Sequence, residues 1–252
     1  MKTIDLNCDM GEAFGVYQYG ADEEIISFIS SANIACGWHG GDPLVMQARV
    51  KLCKQHGVAV GAHPGFPDMM GFGRRNMTCS PAEIYSYTIY QTGALYAFAK
   101  SQGLPLSHFK AHGNMYNMAV KDYSLARAMA EAVYAFDKEL VFVAMPNTEM
   151  SRAGQEVGLK VAYEVFADRA YRADGTLVPR TEPGAVFHEV EQAISRIVQL
   201  VEDGTLTAVD GTVLQMPGDT ICIHGDTPGA AGYAKAVKEQ LEQRGIKIQS
   251  MG

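Results

Sequence analysis

The chain has 252 residues, 47% of them hydrophobic and 19% charged, with no biased tract, which excludes a disordered or fibrous protein. A formal net charge of −7 excludes a basic domain that grips nucleic-acid phosphates, because such affinity rests on clustered Lys and Arg. The opening MKTIDLNCDMGE places acids where a secretory leader needs an apolar run, and no stretch approaches the roughly 20 apolar residues of a membrane span, so a cytoplasmic location with no membrane partner is expected.

Short β-branched runs alternate with longer helical patterns, the sign of βαβ units and a parallel sheet. The first strand is expected over residues 3–8 and runs into Asn7-Cys8-Asp9-Met10-Gly11-Glu12. The second, over 32–36, runs into Gly37-Trp38-His39-Gly40-Gly41-Asp42; Asp42 then N-caps a helix that starts at Pro43 and closes at Gly57. The third, over 58–62, leads into His63-Pro64-Gly65, and Ser80-Pro81-Ala82-Glu83 forms a capping box for a helix ending at Gly103. The fourth, over 108–111, holds Lys110 and leads into His112, Gly113 and Asn114. A fifth spans 140–144, and a sixth, over 161–166, is followed by Asp168-Arg169. Residues 206–216 read as a hairpin turning at Asp210-Gly211, a small excursion near 205–217. The seventh strand, over 220–224, ends at His224 and is followed by Gly225-Asp226, and Thr227-Pro228 opens a last helix that Gly245 closes. Most of these strands look like continuous apolar runs, as expected when both faces are covered.

Strand-to-helix units with no linker between them favour one α/β-barrel domain over residues 1–252, with an open doubly wound sheet as the alternative. Ionisable side chains leave the C-terminal ends of most strands, and in a parallel barrel those ends share one face. A lone strand-end histidine is ordinarily a hydrogen-bonded core residue. Four of the seven histidines (His39, His63, His112 and His224) share that position, and Asp9, Lys110 and Asp226 would be costly to bury beside them without partners or a ligand. A shared active site follows, built for general acid/base chemistry with Lys110 stabilising negative charge. A divalent metal held by Asp9, His39, His63 and His112 is an alternative, opposed by the lack of an HExxH pair and by the charge of Lys110. No GxSxG elbow and no P-loop is present. The five cysteines (Cys8, Cys36, Cys53, Cys79 and Cys222) show no ligand spacing and read as reduced thiols, mostly buried. Gly71-Phe72-Gly73-Arg74-Arg75 reads either as an anion grip or as a surface loop.

Taken together, NCDMGE from Asn7, SANIACGWHGGDP from Ser31, GAHPGFPD from Gly61, FGRR from Phe72, KAHGNMYN from Lys110, EVFADRAY from Glu164, LVPR from Leu177 and CIHGD from Cys222 resemble the LamB/YcsF family over nearly the whole chain. The resemblance implies a distorted seven-stranded (β/α) barrel like those of the glycoside hydrolases and deacetylases. It implies ATP-dependent opening of the lactam of 5-oxo-L-proline to L-glutamate, together with 5-oxoprolinase subunits B and C. ATP, with magnesium, would then be bound mainly by those partners, and a homo-oligomer is compatible. The expected catalytic positions are Asp9, Glu12, His39, His63, Lys110, His112, His224 and Asp226; Asn7, Arg74, Asn117, Asp168 and Arg169 are expected to bind substrate. Chemistry, rather than the match, suggests the roles. Asp9 or a neighbouring His is the base, Lys110 with His112 stabilises charge, His224 and Asp226 orient water or phosphate, and Arg169 or Arg74 holds the substrate carboxylate. The competing readings are a metal-dependent deacetylase of sugar-like substrates and a non-catalytic substrate-binding subunit.

Overall fold

Capping chemistry sets several helix starts in the computed structural model, which describes residues 2–166, 168–179, 182–187, 190–223 and 229–252. Asp42 accepts from the backbone N–H groups of Leu44 and Val45, and Ser80 with Glu83 completes the expected capping box. In chain order the elements are β1 (Thr3–Met10), α1 (Asp22–Ile25), β2 (Ser31–Ala35), α2 (Pro43–His56), β3 (Ala59–His63), α3 (Pro81–Ser101), β4 (His108–Phe109), α4 (Gly113–Ala119), α5 (Tyr123–Phe136) and β5 (Val141–Ala144). There follow α6 (Glu149–Val157), β6 (Val161–Phe166), α7 (Val190–Asp203), β7 (Thr205–Thr207), β8 (Val213–Gln215), β9 (Thr220–Ile223), α8 (Ala230–Gln243) and β10 (Lys247–Ile248).

Seven parallel strands pair in the order β1-β2-β3-β4-β5-β6-β9, and β9 pairs back onto β1 with Asp5 opposite Thr220 and Asn7 opposite Cys222. That last pairing closes an α/β barrel with helices outside it and overturns the open-sheet alternative. The hairpin β7–β8 stands apart as a two-stranded antiparallel sheet. No helix among the described residues is long and apolar enough to cross a membrane.

Three expectations about the strands need correction. β1 extends to Met10, so Asp9 lies inside the strand. β4 stops at Phe109, because β5 has no partner for the residues beyond it; the chain stays extended on the β3 side, where Lys110 N–H donates to the Ala62 carbonyl and His112 N–H to that of Pro64. β10 was not expected, and it pairs in parallel with Thr3 and Ile4 at the start of β1. The expected end of the seventh strand at His224 and the helix start at Thr227-Pro228 lie outside the described residues.

The strands are also not uniformly apolar. Along β1, Ile4, Leu6, Cys8 and Met10 are buried in the apolar core, while Asp5, Asn7 and Asp9 alternate with them and meet polar groups of neighbouring strands. Successive residues of a strand face opposite sides, so the first set packs against helices and the second fills the barrel. Ser31 Oγ donates to Asp5 at 2.6 Å, and Thr220 Oγ1 donates to the other oxygen of the same carboxylate. Asn7 donates to Thr220 Oγ1 at 2.6 Å, and Asn33 donates to both Asn7 (2.7 Å) and Asp9 (2.8 Å). His108 Nε2 lies 2.8 Å from Asn33 Oδ1, an acceptor, so that nitrogen carries the proton. Burial raises the Asp5 carboxyl to about 6, against hydrogen bonds from Ser30, Ser31 and Thr220. Burial, reinforced by Lys110, holds His108 down to about 3.

The His108 ring fits only because residue 61 has no side chain, since a Cβ there would stand 2.0 Å from His108 Nε2. Gly61→Ala is therefore expected to destabilise the fold by about 3 kcal/mol or more in urea unfolding, at the upper end of overpacking costs. His108 also makes stability depend on pH. The folded ring stays neutral down to about 3, whereas the unfolded ring takes up a proton near its ordinary value of about 6.5. Its contribution is thus complete above about pH 6.5 and lost on acidification toward pH 3. Urea unfolding at about pH 4.5 and about pH 7.5 should show a shallower acid loss in His108→Gln, by roughly 1 kcal/mol per pH unit.

Candidate active site

The strand-end side chains converge at the C-terminal mouth of the barrel in two adjoining groups. The first is centred on Lys110, which is almost wholly buried. Its ammonium lies 2.9 Å from Asp9 Oδ1 and 2.7 Å from Glu164 Oε1. It also donates to Asn7 Oδ1 at 3.2 Å and to Cys222 Sγ at 3.1 Å. Burial pulls the lysine pKa down, but Asp9, Cys222 and Glu164 more than offset this and raise it well above its ordinary value. Burial, with Asp9 and Glu164, pushes the Cys222 thiol well up despite Lys110, so it is a neutral acceptor there and no nucleophile.

The second group is three imidazoles and a carboxylate. His39 and His112 stack with centroids 3.7 Å apart and an interplanar angle of 2°. His63 stands nearly perpendicular to both, at 89° and 88°. His63 Nδ1 lies 2.8 Å from the Lys110 carbonyl, His112 Nε2 lies 2.8 Å from the Phe72 carbonyl, and His63 Nε2 faces His112 Nδ1 at 3.0 Å. Glu12 Oε1 lies 3.4 Å from His112 Nδ1 and 3.6 Å from His39 Nε2. Burial first, then the neighbouring histidines, holds His39 well below its ordinary value and His112 at about 3, so both rings are neutral at pH 7. Close approach of the loop after β3 depends on Gly73, which has φ +61°; a Cβ there would lie 2.8 Å from His39 Cβ and 2.9 Å from His112 Cδ2.

Glu12, His39, His63 and His112 each offer a donor atom, all within 4.8 Å of one another, and this buried set could hold a metal ion. The expected ligand set had Asp9 in place of Glu12. Asp9 Oδ1 is instead held by Lys110 and Asn33, and its Oδ2 lies 3.4 Å from His63 Nε2.

The expected substrate contacts scatter. Asn7 lies fully buried beneath Lys110. Arg74 is exposed, its guanidinium 4.9 Å over the Phe72 ring, while its neighbour Arg75 pairs with buried Asp68. Asn117 is exposed on α4 and donates to Asn114 at 3.3 Å. Asp168 follows β6, and Arg169 donates to the carbonyls of Val178 (2.6 Å) and Ala185 (3.4 Å), clamping the loop beyond it. His224 and Asp226 lie outside the described residues. Glu164 was not singled out from the sequence. The signal was present: a carboxylate in the middle of VAYEVF has no aqueous face to turn to, so it demands a buried cation.

The LamB/YcsF family model matches residues 4–252 of this chain. A Pyrococcus horikoshii protein named as the A subunit of 5-oxoprolinase is 52% identical over 248 residues, covering 98% of this chain and 97% of its own. The crystal structure of the Lactam Utilization Protein from Thermus thermophilus is 47% identical, covers 99% of this chain and 100% of its own, and superposes with a TM-score of 0.95. A family 4 carbohydrate esterase from Streptomyces lividans, 11% identical over 100% of this chain and 93% of its own, has a TM-score of 0.51 and shares the fold alone.

Removing Lys110 would strand two carboxylates. Lys110→Met is expected to destabilise the protein by about 3–5 kcal/mol in chemical denaturation, the cost of breaking a buried ion pair from one side. Adding Glu164→Gln should restore part of the loss, with a coupling energy of order 1–3 kcal/mol in the double-mutant cycle.

Proposed function

The chain belongs to the LamB/YcsF family, and on that premise we propose that it acts as the A component of a 5-oxoprolinase, opening the lactam of 5-oxo-L-proline to L-glutamate. The observation that carries the reading is Asp9. Its carboxylate has one oxygen anchored by Lys110 and Asn33 and the other facing His63, while its side chain keeps 17% of its surface open at the mouth.

A five-membered lactam is a stabilised amide, and water alone opens it slowly. Transfer of the γ-phosphoryl group of ATP to the amide oxygen makes the ring carbon electrophilic and gives that oxygen a leaving group. Asp9 then takes a proton from a water as its oxygen attacks that carbon. Cleavage of the ring C–N bond, with a proton delivered to nitrogen, leaves a γ-glutamyl phosphate, and a second water hydrolyses that acyl phosphate to L-glutamate and phosphate. Lys110 is enclosed by four acceptors, so we read it as positioning Asp9, rather than as the group that meets substrate charge. The neutral imidazoles of His39 and His112 suit proton relay and hydrogen bonding to the polarised amide. Arg74, exposed beside Phe72, supplies the cation for the substrate carboxylate.

The sequence carries no P-loop, and we assign ATP, with magnesium, and the phosphorylation step to partner subunits B and C, with this chain performing the hydrolytic half. Glutamate and ADP release from 5-oxoproline and ATP should appear when the chain is combined with B and C, and not with the chain alone. Asp9→Asn is expected to lower that turnover by about 10²–10⁴-fold, with assembly intact. Near-normal turnover in Asp9→Asn would remove Asp9 as the base; if substitutions across the whole cluster also left turnover intact, the chain would be a substrate-presenting subunit.

A further inference from the structure

We propose that Glu12, His39, His63 and His112 form a binding site for one divalent transition-metal ion of the zinc class. The argument is a count of protons. A carbonyl oxygen can only accept, so the Lys110 carbonyl at 2.8 Å places the His63 proton on Nδ1 and leaves a lone pair on Nε2. The Phe72 carbonyl at 2.8 Å likewise places the His112 proton on Nε2 and leaves a lone pair on Nδ1. These two lone pairs point at each other across 3.0 Å. Two neutral rings in those tautomers have no hydrogen to share, and a cation bound by both nitrogens resolves the contact.

Three further observations point to the same ligand. Ligating histidines characteristically donate their other N–H to a carbonyl or carboxylate, which fixes the tautomer and aims the ring. Both His63, at the end of β3, and His112, just past β4, do so here. Second, His39 is completely buried, yet neither of its ring nitrogens makes a hydrogen bond among the described residues. Third, ligands about 2.0–2.1 Å from a tetrahedral zinc ion lie roughly 3.3–3.5 Å from one another. The spacings are 3.0 Å between His63 and His112, 3.4 Å between Glu12 and His112, and 3.6 Å between Glu12 and His39. The four donor atoms all lie within 4.8 Å of one another, and on metal binding His39 would join by turning its ring out of the stack with His112.

The charge of Lys110, which opposes a metal when the sequence is read alone, loses its force in the fold. Asp9 and Glu164 both sit against the ammonium, so its charge is locally compensated, and Glu12 lies with the imidazoles to share the ion's charge. An ion bound there would place a Lewis acid beside Asp9 at the barrel mouth.

The inference holds whether or not the substrate is a lactam, though a bound ion would take over His39 and His112 from the relay role, and its test needs no activity assay. The full-length chain, without a histidine tag, is stripped with a chelator, shown to be folded by circular dichroism, and titrated with Zn²⁺, Co²⁺ and Mn²⁺ by calorimetry. Elemental analysis accompanies the titration. The expected result is about one equivalent of Zn²⁺ or Co²⁺ per chain, a rise in Tm on loading and, with Co²⁺, visible absorption from nitrogen and oxygen ligation. His63→Ala and His112→Ala should abolish uptake, and His39→Ala should weaken it. The Co²⁺ spectrum of the unaltered chain decides the matter if those variants fail to fold. A folded chain that takes up no stoichiometric ion from any of the three metals overturns the proposal and leaves a shared proton between His63 and His112. Undiminished binding in the folded His63 and His112 variants overturns it equally.

Discussion

A buried ammonium is the constraint from which much of this barrel follows. Lys110 projects into the interior just past β4, where an unpaired charge would be prohibitive. It is tolerable only because β1 supplies Asp9 and Asn7, β6 supplies Glu164, and β9 supplies Cys222. Those partners in turn need partners. Asn33 braces Asp9 and Asn7, His108 braces Asn33, and residue 61 must lack a side chain for the His108 ring to fit. The polar network therefore ties strands around most of the ring, and the apolar face of each strand is left to the helices.

The placement of strands and helices was largely legible because local rules govern it. Asp42, Ser80 and Glu83 cap as their positions suggest, and three of the four expected strand-end histidines, His39, His63 and His112, do gather in one cluster. A barrel was favoured by the unbroken strand-to-helix units and implied by the resemblance, but the register that closes it, Asp5 opposite Thr220, has no local signature. The polar interior was half hidden for a different reason. Small polar residues such as Ser31, Asn33 and Thr220 scarcely interrupt an apolar run, so period-two alternation passed for continuous hydrophobicity. Glu164 does interrupt its run, but its cation lies on another strand, and without it Lys110 looked like an unbalanced charge. Exchanging Asp9 for Glu12 in the imidazole cluster is a matter of side-chain direction, which sequence spacing does not carry.

Architecture and chemistry separate cleanly in this molecule. The carbohydrate esterase barrel shares the strand arrangement at an identity that supports fold alone. What distinguishes this chain is the pair of adjoining groups at the mouth, one a compensated ion cluster and the other a nest of three imidazoles and a carboxylate. Arg169, expected at the substrate, instead secures the loop beyond β6 through backbone carbonyls. A cation at a strand end can therefore serve the scaffold as readily as the ligand.

The β1–β9 seam has a consequence for how the protein is made. Asp5 and Asn7 emerge from the ribosome near the start of synthesis, but Thr220, which hydrogen-bonds to both, follows more than 200 residues later, at sequence separations of 215 and 213. The nascent chain thus carries polar strand residues that cannot be satisfied in a closed ring until translation is almost complete. Contacts this distant slow folding and prolong the exposure of unpaired strands. Shortened translation products ending before β9 would lack the seam altogether, which makes the final stretch of synthesis the gate to a finished barrel.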